Sequence, residues 1–129
     1  MIRDGIIVLV LIMVCIYLFK RIGKERPFGS YIEQRLYYAL LSAGYDVRKQ
    51  AKCGPYYVDI ALPKYKIAIE CDGKDFHSSP SQKAYDKNRS AYLYRHGYKH
   101  VIRFTGSEIN KNPYECVNKI DAVVRGGRR

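Results

Sequence analysis

Residues 59–77, DIALPKYKIAIECDGKDFH, read as a strand, a tight turn, a second strand and a polar loop. Four carboxylates and one histidine fall in this span: Asp59, Glu70, Asp72, Asp75 and His77. Asp59 and Glu70 each lie inside an apolar run, where an ionised carboxylate is costly unless it has a partner. A divalent cation is the obvious partner. Strand alternation puts Ile67, Ile69 and Cys71 on one face of the second run, and Ala68, Glu70 and Asp72 on the other. In the first run Val58, Ile60 and Leu62 alternate with Tyr57, Asp59 and Ala61. Pro63, Lys64 and Tyr65 are few enough to join the two runs as a hairpin. Asp59 can then lie near Glu70 on that second face.

The flanking chain supplies a frame. Upstream, Ser30 to Glu33 has the pattern of a capping box, with Ser30 as N-cap and Glu33 at N3. Ile32, Leu36, Ala39, Leu40 and Ala43 recur at helical spacing and predict an amphipathic helix over 31–43, with Gly44 as its stop. Residues 45–50 form a short, polar edge strand; residues 56–62 and 66–72 are the hairpin. Downstream, Gly73 permits a sharp exit, and Ser78 to Ser81 is a loop with capping chemistry. A helix is expected over 81–96, with Ala84, Ala91, Leu93 and Tyr94 as packing residues and Gly97 as its end. Residues 99–104 are a last strand. Asn112-Pro113 starts a final helix, with Pro at N1, and the GGRR terminus is expected to be mobile. The order is helix, three strands, helix, strand, helix. That predicts an α/β layered domain with an antiparallel strand group and helices on its faces.

Residues 6–19, IIVLVLIMVCIYLF, carry no charge. As a helix they span about 21 Å at 1.5 Å per residue, whereas a comfortable bilayer crossing takes roughly 20 residues. Three readings compete. The run is a short membrane anchor, lengthened by its neighbours with Arg3, Lys20 and Arg21 snorkelling outward; or the core of a cleaved signal peptide; or a core helix. A run without a polar face argues against the last. The KRIGKER flank, with no small-x-small site, argues against the second. On the anchor reading, Lys20, Arg21, Lys24 and Arg26 outnumber Arg3 and place the remaining chain in the cytoplasm, at the inner face of the cell membrane. Pro27-Phe28-Gly29 marks the boundary. The expected division is 1–25 as hydrophobic helix and basic flank, and 26–129 as one domain.

The 129 residues include 23 Lys or Arg and 12 Asp or Glu, a formal net charge of +11. So basic a small domain suits a polyanionic partner, either nucleic acid or an acidic membrane. Cys15, Cys53, Cys71 and Cys116 contain no CxxC pair, so neither a zinc knuckle nor a disulfide framework is indicated. Phosphodiester hydrolysis needs a cation to neutralise the phosphate and to lower the pKa of an attacking water. Magnesium, or manganese in its place, is content with a few carboxylates, several waters and a phosphate oxygen. Asp59 and Glu70, with a backbone carbonyl such as that of Cys71, suit it as metal ligands. Glu33 is an outer candidate if its helix packs beside the strands, although the capping box also accounts for it. Gln82, Lys83, Lys87 and Arg89 are candidates for contacts to a phosphate backbone, while Arg89 and Asp86, three apart, can instead pair with each other.

The run VDIALPKYKIAIECDGKDFH, followed by Gln82, Asp86, Arg89, Leu93 and Gly97, resembles the PD-(D/E)XK nuclease superfamily. It looks closest to the very-short-patch-repair-like (Vsr-like) endonuclease-related domains. The resemblance covers residues 30–124. It implies a restriction-endonuclease-like core, a mixed sheet of about four strands flanked by helices, and a DNA-cleaving activity that uses Mg2+. By this resemblance Glu33 matches the helix carboxylate, Asp59 the metal-binding aspartate, Glu70 the acidic residue of the motif and His77 the histidine beyond the glycine. The third motif position holds Asp72 where the pattern has lysine, so Lys74, Gln82, Lys83 or His77 is left to serve in its place. Homodimerisation is implied on the same ground. Three function classes follow: a Mg2+-dependent endodeoxyribonuclease, a nucleic-acid-binding module of the same fold that does not cut, and a basic protein that meets acidic lipid.

Overall fold

A computed structural model describes residues 2–22, 30–72 and 79–127. The expectations for Gly73, Lys74, Asp75, His77, the Pro27-Phe28-Gly29 boundary and the last two arginines lie outside these residues. The elements are α1 (Ile2–Ile22), α2 (Tyr31–Ser42), β1 (Arg48–Cys53), β2 (Tyr56–Leu62), β3 (Ile67–Asp72), α3 (Pro80–Arg95), β4 (His100–Thr105), α4 (Gly106–Lys111) and α5 (Pro113–Gly126). The sheet order is β1-β2-β3-β4. β1 pairs with β2 and β2 with β3 in antiparallel fashion, whereas β3 and β4 run parallel, joined through α3. The expected α/β fold, a mixed four-stranded sheet flanked by helices and preceded by an apolar helix, is therefore present.

Two apolar layers hold it together. The larger joins α2 (Ile32, Leu36, Leu40) to Ile60, Leu62, Ile67, Ile69 and Phe104 of the sheet, and to Ile109 of α4 and Val117 and Ile120 of α5. The smaller, on the opposite face, holds Val58, Ala61, Ala68 and Leu93. Alternation in β3 follows the sequence expectation, since Ile67, Ile69 and Cys71 join the first layer and Ala68 the second. Alternation in β2 does not. Val58 packs with Ala61 on the α3 face and not with Ile60 and Leu62, so the strand changes face once, at Asp59.

α3 also differs from expectation. Leu93 is its one buried residue, while Ala84, Ala91 and Tyr94 are exposed. Its inward stripe is instead Gln82, Asp86, Arg89 and Leu93, at helical spacing and mostly polar. α4 was not expected. A capping box starts it: Thr105 Oγ1 accepts from the Glu108 N–H, and Glu108 Oε2 accepts from the Thr105 N–H. The T-x-x-E pattern at residues 105–108 is the signal for it.

The hairpin between β1 and β2 turns at Gly54, whose φ is +57°. A Cβ there would lie 1.9 Å from Tyr92 Oη, so only glycine lets α3 approach this closely. α1 has 21 residues, about 32 Å at 1.5 Å each. Its window Ile2–Phe19 has a mean hydropathy of 2.4 and none of it is buried. It is long and apolar enough to cross a membrane, and a core helix would not leave such a window fully exposed.

Candidate active site

The carboxylates gather where the β2–β3 ladder stops. Paired residues run Leu62↔Ile67, Ala61↔Ala68 and Ile60↔Ile69. One residue further, Asp59 faces Glu70. There Asp59 Oδ2 accepts a hydrogen bond of 2.9 Å from the Cys71 N–H, so a side chain replaces the backbone carbonyl of the ladder. Asp59 Oδ1 accepts from Gln50 Nε2 at 3.4 Å, and the same nitrogen donates to Glu33 Oε2 at 3.1 Å. Glu33 is buried, 7 % exposed. Ser30 Oγ caps its helix by accepting from the Glu33 N–H, but the Glu33 carboxylate is turned to Gln50.

Glu70 is 5 % exposed. Arg89 Nη2 lies 2.9 and 2.8 Å from its two carboxylate oxygens and also donates to the Tyr57 carbonyl. Arg89 Nε is buried and has no hydrogen-bond partner among the described residues. The arginine thus points into the site. Its partner is therefore Glu70 and not Asp86, the alternative that helix spacing offered. Asp86 pairs instead with Arg103, at 3.0 Å, and accepts from Gln82 Nε2. Arg103 also reaches Asp72, at 3.8 Å. Asp72 stands at the position of the expected lysine, on the same face as Glu70, and its neighbour in space is a cation of β4. Lys83 and Lys87 are exposed on α3.

Electrostatics set Asp59 and Glu70 apart. Burial raises the Asp59 pKa above its ordinary value, against the pull of the Cys71 N–H, Arg89 and Gln50. Burial raises Glu70 from 4.5 to about 7; the Asp59 charge adds to this, and Arg89 opposes it. The pair is therefore short of countercharge. Its donors are oxygens only, which is the chemistry a small hard cation selects. Among the described residues no group of three or more His, Cys, Asp or Glu is placed to hold an ion. A two-carboxylate arrangement fits magnesium, which keeps several waters and binds through one or two carboxylates. The residues present fit the group that the resemblance implies, provided that Glu70 shares an oxygen now taken by Arg89.

The structure thus brings together Glu33, Asp59 and Glu70, keeps Asp72 on the adjoining Arg103 network, and adds two residues that sequence reasoning missed. Arg103 was findable, being the one charge inside the apolar run of β4. Gln50 carried no signal, as one polar residue among several in a polar edge strand.

No curated protein matches the chain. Among solved structures, the catalytic domain of the homing endonuclease I-Bth0305I is similar at 23 % identity and a TM-score of 0.49, covering 78 % of this chain and 92 % of that one. Residues 32–124 match the model of the restriction endonuclease-like family REase_MTES_1575. That match spans well over half of the chain, takes in Glu33, Asp59, Glu70 and all of the sheet, and shows that this protein belongs to the REase_MTES_1575 family, with a nuclease-like domain of the PD-(D/E)XK type.

Proposed function

We propose that this protein is a divalent-metal-dependent endonuclease that hydrolyses phosphodiester bonds in DNA. The observation that carries the reading is a pair of undercompensated carboxylates, the buried Glu70 and the half-buried Asp59, at the point where β2 and β3 part. Asp59, Glu70 and the Cys71 carbonyl would hold Mg2+, or Mn2+ in its place. When bound, the ion would neutralise the phosphate and supply a water of lowered pKa. The chain's own residues do the rest. The Cys71 N–H and Gln50 fix the Asp59 carboxylate, and Arg89 holds Glu70 until the cation arrives. Lys83 and Lys87 meet the phosphate backbone from the open side of α3, with Gln82 beside them. Asp72 is tied to Arg103, so the proton-handling task of the missing lysine falls, by the resemblance, to Lys74 or His77.

The narrower kinship with very-short-patch-repair-like enzymes belongs to this reading. So do the division into 1–25 and 26–129, anchoring through residues 6–19 at the cytoplasmic face of the membrane, and a homodimer. The apolar helix α1 and its basic flank support the anchor. Cleavage of duplex, nicked, branched, mismatched and single-stranded DNA by the detergent-solubilised chain, with and without Mg2+ or Mn2+, tests the activity. Divalent-dependent cleavage that disappears in Asp59→Ala and in Glu70→Ala is expected. Equal cleavage in both variants would remove the assignment.

A second reading is favoured by one pair of observations: Asp72 in the place of the lysine, and Arg89 on both Glu70 oxygens. It is a binding module of the same fold that does not cut. It gives salt-sensitive DNA binding and no cleavage under either metal.

A further inference from the structure

Gln50 occupies an unusual place. Its φ is +48°, in the left-handed region that residues with a Cβ rarely adopt. The β1–β2 register is kept on either side of it, with Arg48↔Ala61 and Lys49↔Ile60 before, and Ala51↔Val58 and Lys52↔Tyr57 after. The faces, however, change across it. Ile60 belongs to the large apolar layer, and Ala61 to the small one. Simple alternation would return Val58 and its partner Ala51 to the large layer, yet both pack in the small one. The change of face therefore falls at Gln50 on one strand and at Asp59 on the other, directly opposite. Backbone strain of this kind persists where the surroundings over-determine it, and it clusters at functional sites.

The side chain shows what the distortion achieves. One amide nitrogen donates to Glu33 Oε2 and to Asp59 Oδ1. Two ionised carboxylates can only accept, so the amide must present its NH2 group to them. A lysine or arginine could also bridge two acids, but it would neutralise them and compete with a divalent cation. A neutral amide ties the acids together and leaves their charge in place. Asp59 is then held on both oxygens, by Gln50 on one and by the Cys71 N–H on the other.

We infer that Gln50 is a positioning residue that fixes Asp59 for a divalent cation and couples Glu33 of α2 to the same site, through a strained turn of β1 kept for that purpose. This rests on the metal-site reading given above. Hydrogen-bonding partners of metal ligands typically contribute 10- to 100-fold to metal affinity, and that is the scale expected here.

The test uses Mn2+ as the probe and the full-length chain in detergent, in the absence of DNA. Electron paramagnetic resonance of free Mn2+ gives the dissociation constant, and thermal melts with EDTA or with Mn2+ give the metal-induced rise in Tm. Gln50→Ala is expected to weaken Mn2+ binding 10- to 100-fold and to shrink the metal-induced rise. Gln50→Asn keeps an amide and tolerates the left-handed backbone, so it stays folded if the alanine variant does not; its shorter reach weakens binding as well. A merely structural residue would change the Tm in EDTA and leave the metal-induced rise intact. Wild-type Mn2+ affinity in a folded Gln50 variant overturns the inference alone. No Mn2+ binding by the wild-type chain overturns it together with the metal-site reading.

Discussion

Replacing Glu70 by glutamine sets two effects of known size against each other. Glu70 is 5 % exposed and lies between the Asp59 carboxylate and the Arg89 guanidinium. Burial raises its pKa from 4.5 to about 7 in spite of the arginine. Between those two values the folded chain holds a proton that the unfolded chain has released. Stability therefore falls as pH rises through this window, and the Glu70 contribution is fully present only below 4.5. At about 1.4 kcal/mol per unit, the interval is worth about 3 kcal/mol. Asp59, also raised, acts in the same direction.

Glutamine stands in for the protonated acid at every pH. Glu70→Gln is accordingly expected to match the wild-type chain near pH 4.5 and to exceed it by up to about 3 kcal/mol at pH 8 in EDTA. Urea denaturation followed by circular dichroism, from pH 4.5 to 8, gives both curves. Added Mg2+ should stabilise the wild-type chain at pH 8 and close the gap, because only the carboxylate gains a cation. The opposite expectation comes from the ion pair, since breaking a buried pair by removing one partner commonly costs 3–5 kcal/mol. A glutamine variant less stable than wild type by that amount at pH 8, with parallel pH curves, would show that Arg89 outweighs burial and would refute the reasoning.

Further outcomes follow from packing and caps. Leu93→Ala removes the one fully buried side chain of α3 and should cost 2–5 kcal/mol in urea denaturation, on the usual scale for buried leucine. Gly54→Ala forces a Cβ onto Tyr92 Oη at a positive φ, so a loss of about 1–3 kcal/mol is expected, and a Tm equal to wild type would contradict the close approach. Thr105→Ala deletes the N-cap of α4 and should cost about 1 kcal/mol in the same denaturation assay.

Much of the fold could be read from local chemistry. The capping signals at Ser30 and Asn112, the apolar spacing of α2 and the alternation of 66–72 each place an element within a residue or two of its observed bounds. α4 was missed, although the T-x-x-E pattern at residues 105–108 marks its start. Three features of the site were not legible. Strand parity placed Asp59 near Glu70, but the face of Val58 depends on a change of alternation shared by two strands, which neither strand displays alone. The partner of Arg89 was not legible, because sequence spacing offers only Asp86 on the same helix, whereas Glu70, distant in sequence, is buried and in greater need of countercharge. Gln50 has no composition or spacing that marks it.

The sequence by itself determined that residues 59–77 hold acids on a strand–turn–strand unit, that Glu70 and Asp72 share a face, and that the chain is strongly basic. Periodicity and charge are local or additive properties and need no partner to be read. Only the tertiary structure decided which groups meet those acids. α2 brings Glu33 from one side, α3 brings Arg89 from the other, and β1 bends at Gln50 to tie Glu33 to Asp59. These are contacts between distant segments, fixed by how three layers pack, and burial rather than spacing sets their energies.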